Sequence, residues 1–463
     1  MDTYDVIVIG GGPAGENVAG RVASAGLAVA VVEHELVGGE CSYWGCIPSK
    51  TLLRPGEVLA AARRVPGARA AVTGSIDVAD VLARRNYMTS DWDDTSQADW
   101  LDGQGVALVR GTGRLVGDRT VDVTDADGAV KHLHALRAVV LATGTSAAVP
   151  PIPGLRDIRI WDNRGATGAQ DIPRRLLVLG GGVIGVEMGQ AFFRLGADEV
   201  TIVEKADRLV ANEEPFAGEE VRAALEAEGI TVIVGVGIAS VRREADDSPV
   251  VGTLEDGREI EADEILVAVG RRPNTGDLGI ESIGVEVGTS IPVDDQLRVT
   301  GVDGGWLYAI GDINGRALLT HMAKYQARIA SDVIVGKTAE AWADHRAIPR
   351  VTFTDPQVAA VGLTERQARE HYPDVRVLSY GTGDVSGASV AGVGLSGTSQ
   401  LVIDESRQVV VGATFTGFAV AEMLHAATIA IVAEVPLPLL WHAVPAFPTV
   451  SEVWLRLLEA YGL

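Results

Sequence analysis

With two cysteines in 463 residues, the chain can close one disulfide at most, and the second cysteine pair that would complete a four-thiol zinc site is missing. Positive charge is also scarce. Lys and Arg number 39 against 62 Asp and Glu, for a formal net charge of -23 and a pI near 4.7. That balance excludes nucleic acid and anionic membrane, which both need clustered cations, and leaves a small or basic partner. No apolar run approaches 18 residues, and Met1 leads into a strand-like run with no basic leader or cleavage site before it. These absences give the expectation of a soluble, cytoplasmic protein. What is present is a chain 47% hydrophobic, globular, and long enough for about three domains of ordinary size.

Both cysteines fall in one stretch, Gly38-Gly39-Glu40-Cys41-Ser42-Tyr43-Trp44-Gly45-Cys46-Ile47-Pro48-Ser49-Lys50. Two thiols so close in sequence, flanked by Gly and Pro, can form a small ring whose opening and closing carries two electrons. Half of a zinc site or two neighbouring buried thiols are the bland alternatives. In a reducing compartment a lone pair of this kind is more often catalytic or redox-active than structural.

Just before this stretch, the β-branched run Tyr4–Ile9 breaks at Gly10, Gly12 and Gly15, resumes as an Ala-rich helix, and is followed by a strand ending at Glu33. Gly10 suits a tight turn, Gly12 lets backbone approach a pyrophosphate, Gly15 lets helix and strand pack closely, and Glu33 can accept ribose hydroxyls. The pattern predicts dinucleotide binding, and the adjacent cysteines favour a flavin there. A helix is expected from about Lys50 to Arg64 and another from about Val78 to Leu101. A buried strand ends at Thr143 and Gly144, where backbone can again approach the first nucleotide. After the Pro-rich run 150–154 the pattern repeats: a strand, Gly180, Gly182 and Gly185, a second strand ending at Glu204, and closure at Gly270. An acid at Glu204 favours a free 2′-hydroxyl, hence NADH over NADPH, although Lys205 and Arg208 lie nearby. Beyond about Trp342 no dinucleotide signature remains, and the alternating strands and apolar helix Ala419–Ala433 read as an α+β domain for self-association. His425 in that helix is expected to be a core residue. The fold class is α/β: two Rossmann-like dinucleotide-binding domains plus a C-terminal α+β dimerisation domain. The expected division is 1–149 (flavin, first part), 150–272 (NAD), 273–341 (central, second flavin part) and 342–463 (dimerisation).

The chain resembles the pyridine nucleotide-disulfide oxidoreductases over nearly its full length, carried by Gly38–Lys50, the paired fingerprints, Ala142-Thr143-Gly144, Gly270–Asn274, Gly311-Asp312 and Phe353-Thr354-Asp355-Pro356. Ile160-Trp161-Asp162 and Gly181–Glu187 look most like its dihydrolipoamide dehydrogenase branch. The resemblance implies FAD on the first unit, with Glu33 on the adenosine ribose, Gly113 near the adenine, Asp312 on the ribityl chain, and the stretch Leu319–Ala323, including Thr320, around the flavin. It implies NADH on the second unit, a Lys50–Glu187 pair near flavin and nicotinamide, Cys46 against the flavin as a thiolate, and Cys41 facing the exchange partner. Hydride would pass from NADH to flavin and on to the Cys41–Cys46 disulfide in a homodimer whose partner completes the site.

One departure stands out. Where the family carries a His-Pro-Thr motif with a glutamate five residues on, this chain has Phe447-Pro448-Thr449 and Glu452. A phenyl ring cannot move a proton, and general acid–base help is worth about 10² to 10⁴ in rate. His442 could replace the base, or the substrate could need none, as in the similar His-to-Phe change of 2-oxopropyl-coenzyme M reductase/carboxylase, which however also has a histidine where Glu452 stands. Alternatively electrons could leave flavin directly for a quinone, or the chain could sense NADH without turnover. No further cysteines exist for relay by a terminal dithiol.

Overall fold

The computed structural model describes residues 1–285 and 290–463. The chain folds into two compact units, one of Met1–Pro48, Asn86–Ser146 and Arg271–His345, the other of Ser49–Arg85, Ala147–Gly270 and Arg346–Leu463.

The first unit is built on a sheet in the order Val106–Arg110, Val29–Glu33, Asp2–Ile9, Val130–Leu141, Thr120–Thr124, Thr112–Gly117, with Leu307–Ala309 also paired to Val130–Leu141. Its parallel strands are buried on both faces. Along Asp2–Ile9, side chains alternate as the pleat requires. Val6 and Val8 meet Ala14, Val18 and Val22 of helix Pro13–Ser24 and Ala323, Ala327 and Ala330 of helix Thr320–Ile334. Ile7 and Ile9 pack on the other side with Leu115, Val121 and Leu133 from the antiparallel strands. Small residues at the helix contacts let the two helices lie close together, which fixes where their N-termini point.

The second unit holds three sheets. A parallel one runs Thr231–Val234, Glu199–Glu204, Arg175–Leu179, Glu264–Val267, with helix Val183–Arg194 following the glycine turn. An antiparallel sheet of three strands spans Ile238 to Ala262. The last is a five-stranded antiparallel sheet, ordered Arg350–Thr352, Gln357–Gly362, Val409–Gly417, Thr398–Asp404, Val375–Gly381, and helix Val420–Val432 packs on it.

Two expectations are corrected. The helix foreseen over Val78–Leu101 is two helices, Val78–Met88 and Thr95–Gly103, separated by Ser90, Asp91 and Trp92 at positive φ. The acids in the break are used locally and at long range instead of solvating a helix: Asp93 accepts from Thr95 N–H, and Asp94 accepts from Val37 N–H and from Arg110, each at 2.7 Å. His425 is exposed and not in the core. It shares its face with Ile429 and Val432, 53% and 48% exposed, while Met423, Leu424, Ala427 and Ile431 point inward. With only Glu422, His425 and Thr428 to mark a polar side, this mostly apolar helix gives a weak stripe by which to tell its two faces apart.

Candidate active site

The first unit assembles around its glycine turn. Gly10 sits at φ +104°, and a Cβ there would lie 2.5 Å from the Ala142 carbonyl; one on Gly15 would lie 1.8 Å from the Gly10 carbonyl. Gly12, by contrast, faces open space and caps helix Pro13–Ser24 with no side chain. A phosphate-sized cradle at the positive end of a helix results, which fits a dinucleotide pyrophosphate. Buried Glu33 braces the turn by accepting the Gly11 N–H through Oε2 and the Glu35 N–H through Oε1, both at 2.7 Å. Burial pushes its carboxyl up, but His34 and these two N–H groups outweigh it and hold the carboxyl below its ordinary value. Gly113 lies against Ile9 and Val32.

Thr143 and Asn274 are tied reciprocally, Thr143 Oγ1 donating to the Asn274 carbonyl at 3.0 Å and Asn274 Nδ2 to the Thr143 carbonyl at 2.9 Å, with Gly144 next in line at φ +66°. Asp312 accepts from Thr145 Oγ1 at 2.8 Å, and Arg271 donates to that same hydroxyl through Nε at 2.7 Å and to Glu40 through Nη2 at 3.4 Å. Burial pushes the Asp312 carboxyl up. Sequence reasoning assigned no role to Thr145, Arg271 or Glu40. Their motifs were visible, but the network joins residues more than a hundred positions apart and leaves no local signal.

Gly38 and Gly39, both at positive φ, turn the chain into helix Gly39–Tyr43, which carries Cys41; Cys46 then opens helix Cys46–Arg64. Both sulfurs are thiols in this structure. Cys46 Sγ lies 3.2 Å from Thr320 Oγ1, at the start of helix Thr320–Ile334. The Cys41 thiol is pushed far up, first by its hydrogen bond to Cys46 and then by burial, while Thr320 and Lys324 pull the other way.

The second unit repeats the turn. Gly180 is at φ +108°, a Cβ on Gly185 would lie 1.9 Å from the Gly180 carbonyl, and Gly182 faces open space. Glu204 accepts from Gly181 and Ala206 N–H, each at 2.6 Å. Lys205 pairs with Glu255 at 3.0 Å, and Arg208 reaches Asp207 and the Ala211 carbonyl. Gly270, at φ +135°, also faces open space.

Lys50 follows Cys46 by one helical turn. Within the second unit its Nζ donates to Glu187 Oε2 at 2.7 Å, and the other oxygen of this buried carboxylate accepts the Phe353 N–H at 2.8 Å. The ammonium also lies 5.0 Å from the Phe353 ring centroid. Asp355 joins Arg64 and Arg194 at 2.5 and 2.9 Å. Phe353 and Asp355 are residues that sequence reasoning noted without giving them a task.

Phe447 and Glu452 are not brought together. Phe447 is 74% exposed, whereas Glu452 is buried and accepts from Arg456 at 2.6 Å and from the Ser386 N–H at 3.3 Å. His442 is exposed. Among the described residues no cluster of His, Cys, Asp and Glu could hold a metal ion, and no helix is long and apolar enough to cross a membrane.

A family profile described as pyridine nucleotide-disulphide oxidoreductase matches residues 4–327, and the dimerisation domain of the same group matches 348–457. The chain is 33% identical to a mercuric reductase of Staphylococcus aureus over 92% of its length and 77% of that protein's. It is 32% identical to a dihydrolipoyl dehydrogenase of Chlamydia muridarum over 98% and 96%. Among solved structures it is similar to the HOCl-induced flavoprotein disulfide reductase RclA of Escherichia coli, in its Cu(II) complex (TM-score 0.87, 25% identity, 99% and 100% covered). LpdA of Mycobacterium tuberculosis matches equally well (TM-score 0.87, 25% identity, 100% of both chains).

Proposed function

This chain belongs to the pyridine nucleotide-disulphide oxidoreductase family, and on that premise we propose that it carries an electron pair from NADH to a redox disulfide formed by Cys41 and Cys46, and from the dithiol to a small-molecule acceptor. The Gly10–Gly15 turn with Glu33, Gly113, Thr143, Gly144, Asp312 and Thr320 would hold FAD, which would supply the two-electron relay between nicotinamide and sulfur. The NADH turn is Gly180, Gly182 and Gly185 with Glu204 and Gly270. That Lys205 and Arg208 already have partners supports NADH over NADPH. The matched dimerisation domain supports a homodimer, and we assign completion of the site to the partner subunit.

The observation that carries the reading is the opening of helix Cys46–Arg64. A thiol pair stands at its head, and Lys50, one turn on, is pinned by Glu187. A fixed cation beside a reacting centre stabilises negative charge without reorganising first. Glu187 holds it with one oxygen and is itself held by backbone through the other, so the ammonium has little freedom to leave. Thr320 orients Cys46.

The balance of the cycle is NADH, a proton and the disulfide giving NAD⁺ and the dithiol; the dithiol then reduces a disulfide acceptor to two thiols and closes again. Cys41 must shed its proton to attack, and Phe447 offers no imidazole to take it. Exchange with a disulfide acceptor is therefore slow, and a proton acceptor at position 447 should speed it. In the test, anaerobic NADH titration of the flavin-loaded dimer is expected to expose two titratable thiols, with lipoamide turnover slow and raised at least about tenfold by Phe447→His. NADH reduction without new thiols would remove the disulfide from the mechanism.

A thiophilic metal ion is the second reading. It is favoured by the likeness to mercuric reductase and to the Cu(II) complex of RclA, and a soft ion taken up by two thiolates needs no proton shuttled to the acceptor. Hg(II)- or Cu(II)-dependent NADH oxidation faster than lipoamide reduction, and indifferent to Phe447→His, would decide for it.

A further inference from the structure

The chain has only five lysines. Four of them, Lys50, Lys131, Lys205 and Lys337, lie within 3.0 Å of a carboxylate oxygen. Lys324 makes no ion pair among the described residues, although the chain carries 62 acids. It is exposed, and it lies one turn along helix Thr320–Ile334 from Thr320, whose hydroxyl is 3.2 Å from Cys46 Sγ. A further turn on, Arg328 is exposed as well, lies 5.4 Å from the Tyr325 ring centroid, and makes no ion pair among the described residues. Residues four apart share a helix face, so Thr320, Lys324 and Arg328 form a line leading from solvent to the sulfurs.

The groups facing Lys324 are few. Half-buried Glu16, on the neighbouring helix Pro13–Ser24, has its carboxyl pushed up by burial and pulled back by Lys324, and Cys41 feels the same ammonium. Neither is an ion-pair partner. A cation left unneutralised in a chain of net charge -23, and next to a reactive thiol pair, raises the local concentration of anions there.

We propose that Lys324, with Arg328 behind it, selects an anionic electron acceptor for the Cys41–Cys46 dithiol. This deepens the proposed function and rests on its dithiol. For an anionic disulfide, one sulfur attacks and releases the first thiol; the second sulfur closes the Cys41–Cys46 bond and releases the other. The two protons leave with the products, and the ammonium stays protonated throughout.

The test compares two alkyl disulfides of opposite charge, dithiodipropionate and cystamine, as acceptors for the NADH-reduced holoenzyme. Lys324→Met should lower the dithiodipropionate-to-cystamine ratio of kcat/KM about tenfold, Lys324→Glu should lower it further, and Lys324→Arg should keep it near wild type. The wild-type ratio should fall as ionic strength rises, since exposed charges are screened over about 10 Å at 0.1 M. Arg328→Met should move the ratio in the same direction by less. Flavin content confirms that each variant is folded. A ratio equal in wild type and Lys324→Met, with two thiols still appearing on NADH reduction, overturns this inference and leaves the dithiol standing. Absence of the two thiols overturns both.

Discussion

The acid that braces the first glycine turn, Glu33, is buried beside His34, while its counterpart Glu204 is half-buried and followed by Lys205 and Arg208. The backbone devices are otherwise the same in the two units: a positive-φ glycine, an open middle glycine, a third whose missing Cβ admits the first one's carbonyl, and a carboxylate taking two N–H groups. What differs is the surroundings. Both turns lie in sheets covered on both faces, but the first is followed in sequence by the cysteines. The second is followed by charged, accessible side chains. On the proposed function, one scaffold would serve twice, retaining FAD at the first turn and exchanging NADH at the second.

Breaking the turns separately should show this difference at its largest. Gly15→Ala places a methyl 1.8 Å from the Gly10 carbonyl and should leave the purified chain without flavin. Gly185→Ala makes the equivalent clash at 1.9 Å, yet flavin should remain while KM for NADH rises by more than about 100-fold, roughly 2.7 kcal/mol. Absorbance of the bound flavin and steady-state kinetics separate the two. If both variants lose flavin, the turns are not independent.

Lys50→Met comes next. It removes a cation fixed by a buried carboxylate and should slow thiol formation after NADH addition by about 10² to 10³-fold, in the range found for a lost preorganised electrostatic donor. Rapid-mixing absorbance would measure it, and a change below threefold would deny Lys50 its role.

Smaller effects sharpen the contrast between the two acids. Glu33→Gln leaves buried N–H groups poorly matched and should cost about 1 to 3 kcal/mol of stability at pH 7; Glu204→Gln, at a more accessible position, should cost less. Because the folded Glu33 carboxyl is held below its unfolded value, its contribution is present above about pH 4.3 and is lost as pH falls through the lower, folded value. The stability gap between wild type and Glu33→Gln should close on acidification, as followed by urea denaturation.

The smallest effect is one of slope. With the Cys41 thiol raised, its thiolate fraction in the reduced enzyme should climb about tenfold per pH unit from pH 6 to 9 without a plateau. Iodoacetamide alkylation of Cys41 at each pH would reveal a plateau if one exists.

Local patterns carried most of this molecule into view. Strands such as Val6–Ile9 and Leu176–Leu179 are continuous apolar runs, their turns are spelled by glycine, and Glu33 and Glu204 stand at the distance a βαβ unit imposes. The cysteines were legible because the chain has no others. What was not legible depends on long-range partners. Asp94 is diverted from a helix by Val37 and Arg110, Asp312 is tied to Arg271 through Thr145, and Lys324's lack of an ion pair among the described residues shows only after every other lysine has found its acid. His425 was misread because its helix is mostly apolar, and exposure there follows from which face meets the sheet.

The shared carboxylate of Glu187 also constrains how this chain can change over generations. Its two oxygens are claimed by Lys50 and by the Phe353 backbone, so a lineage that loses the lysine alone inherits a buried anion with half its compensation gone. Loss of both together to apolar residues of similar size is far milder. The two positions should therefore be inherited as a pair, and Lys50→Met/Glu187→Leu should fold more stably than Lys50→Met alone.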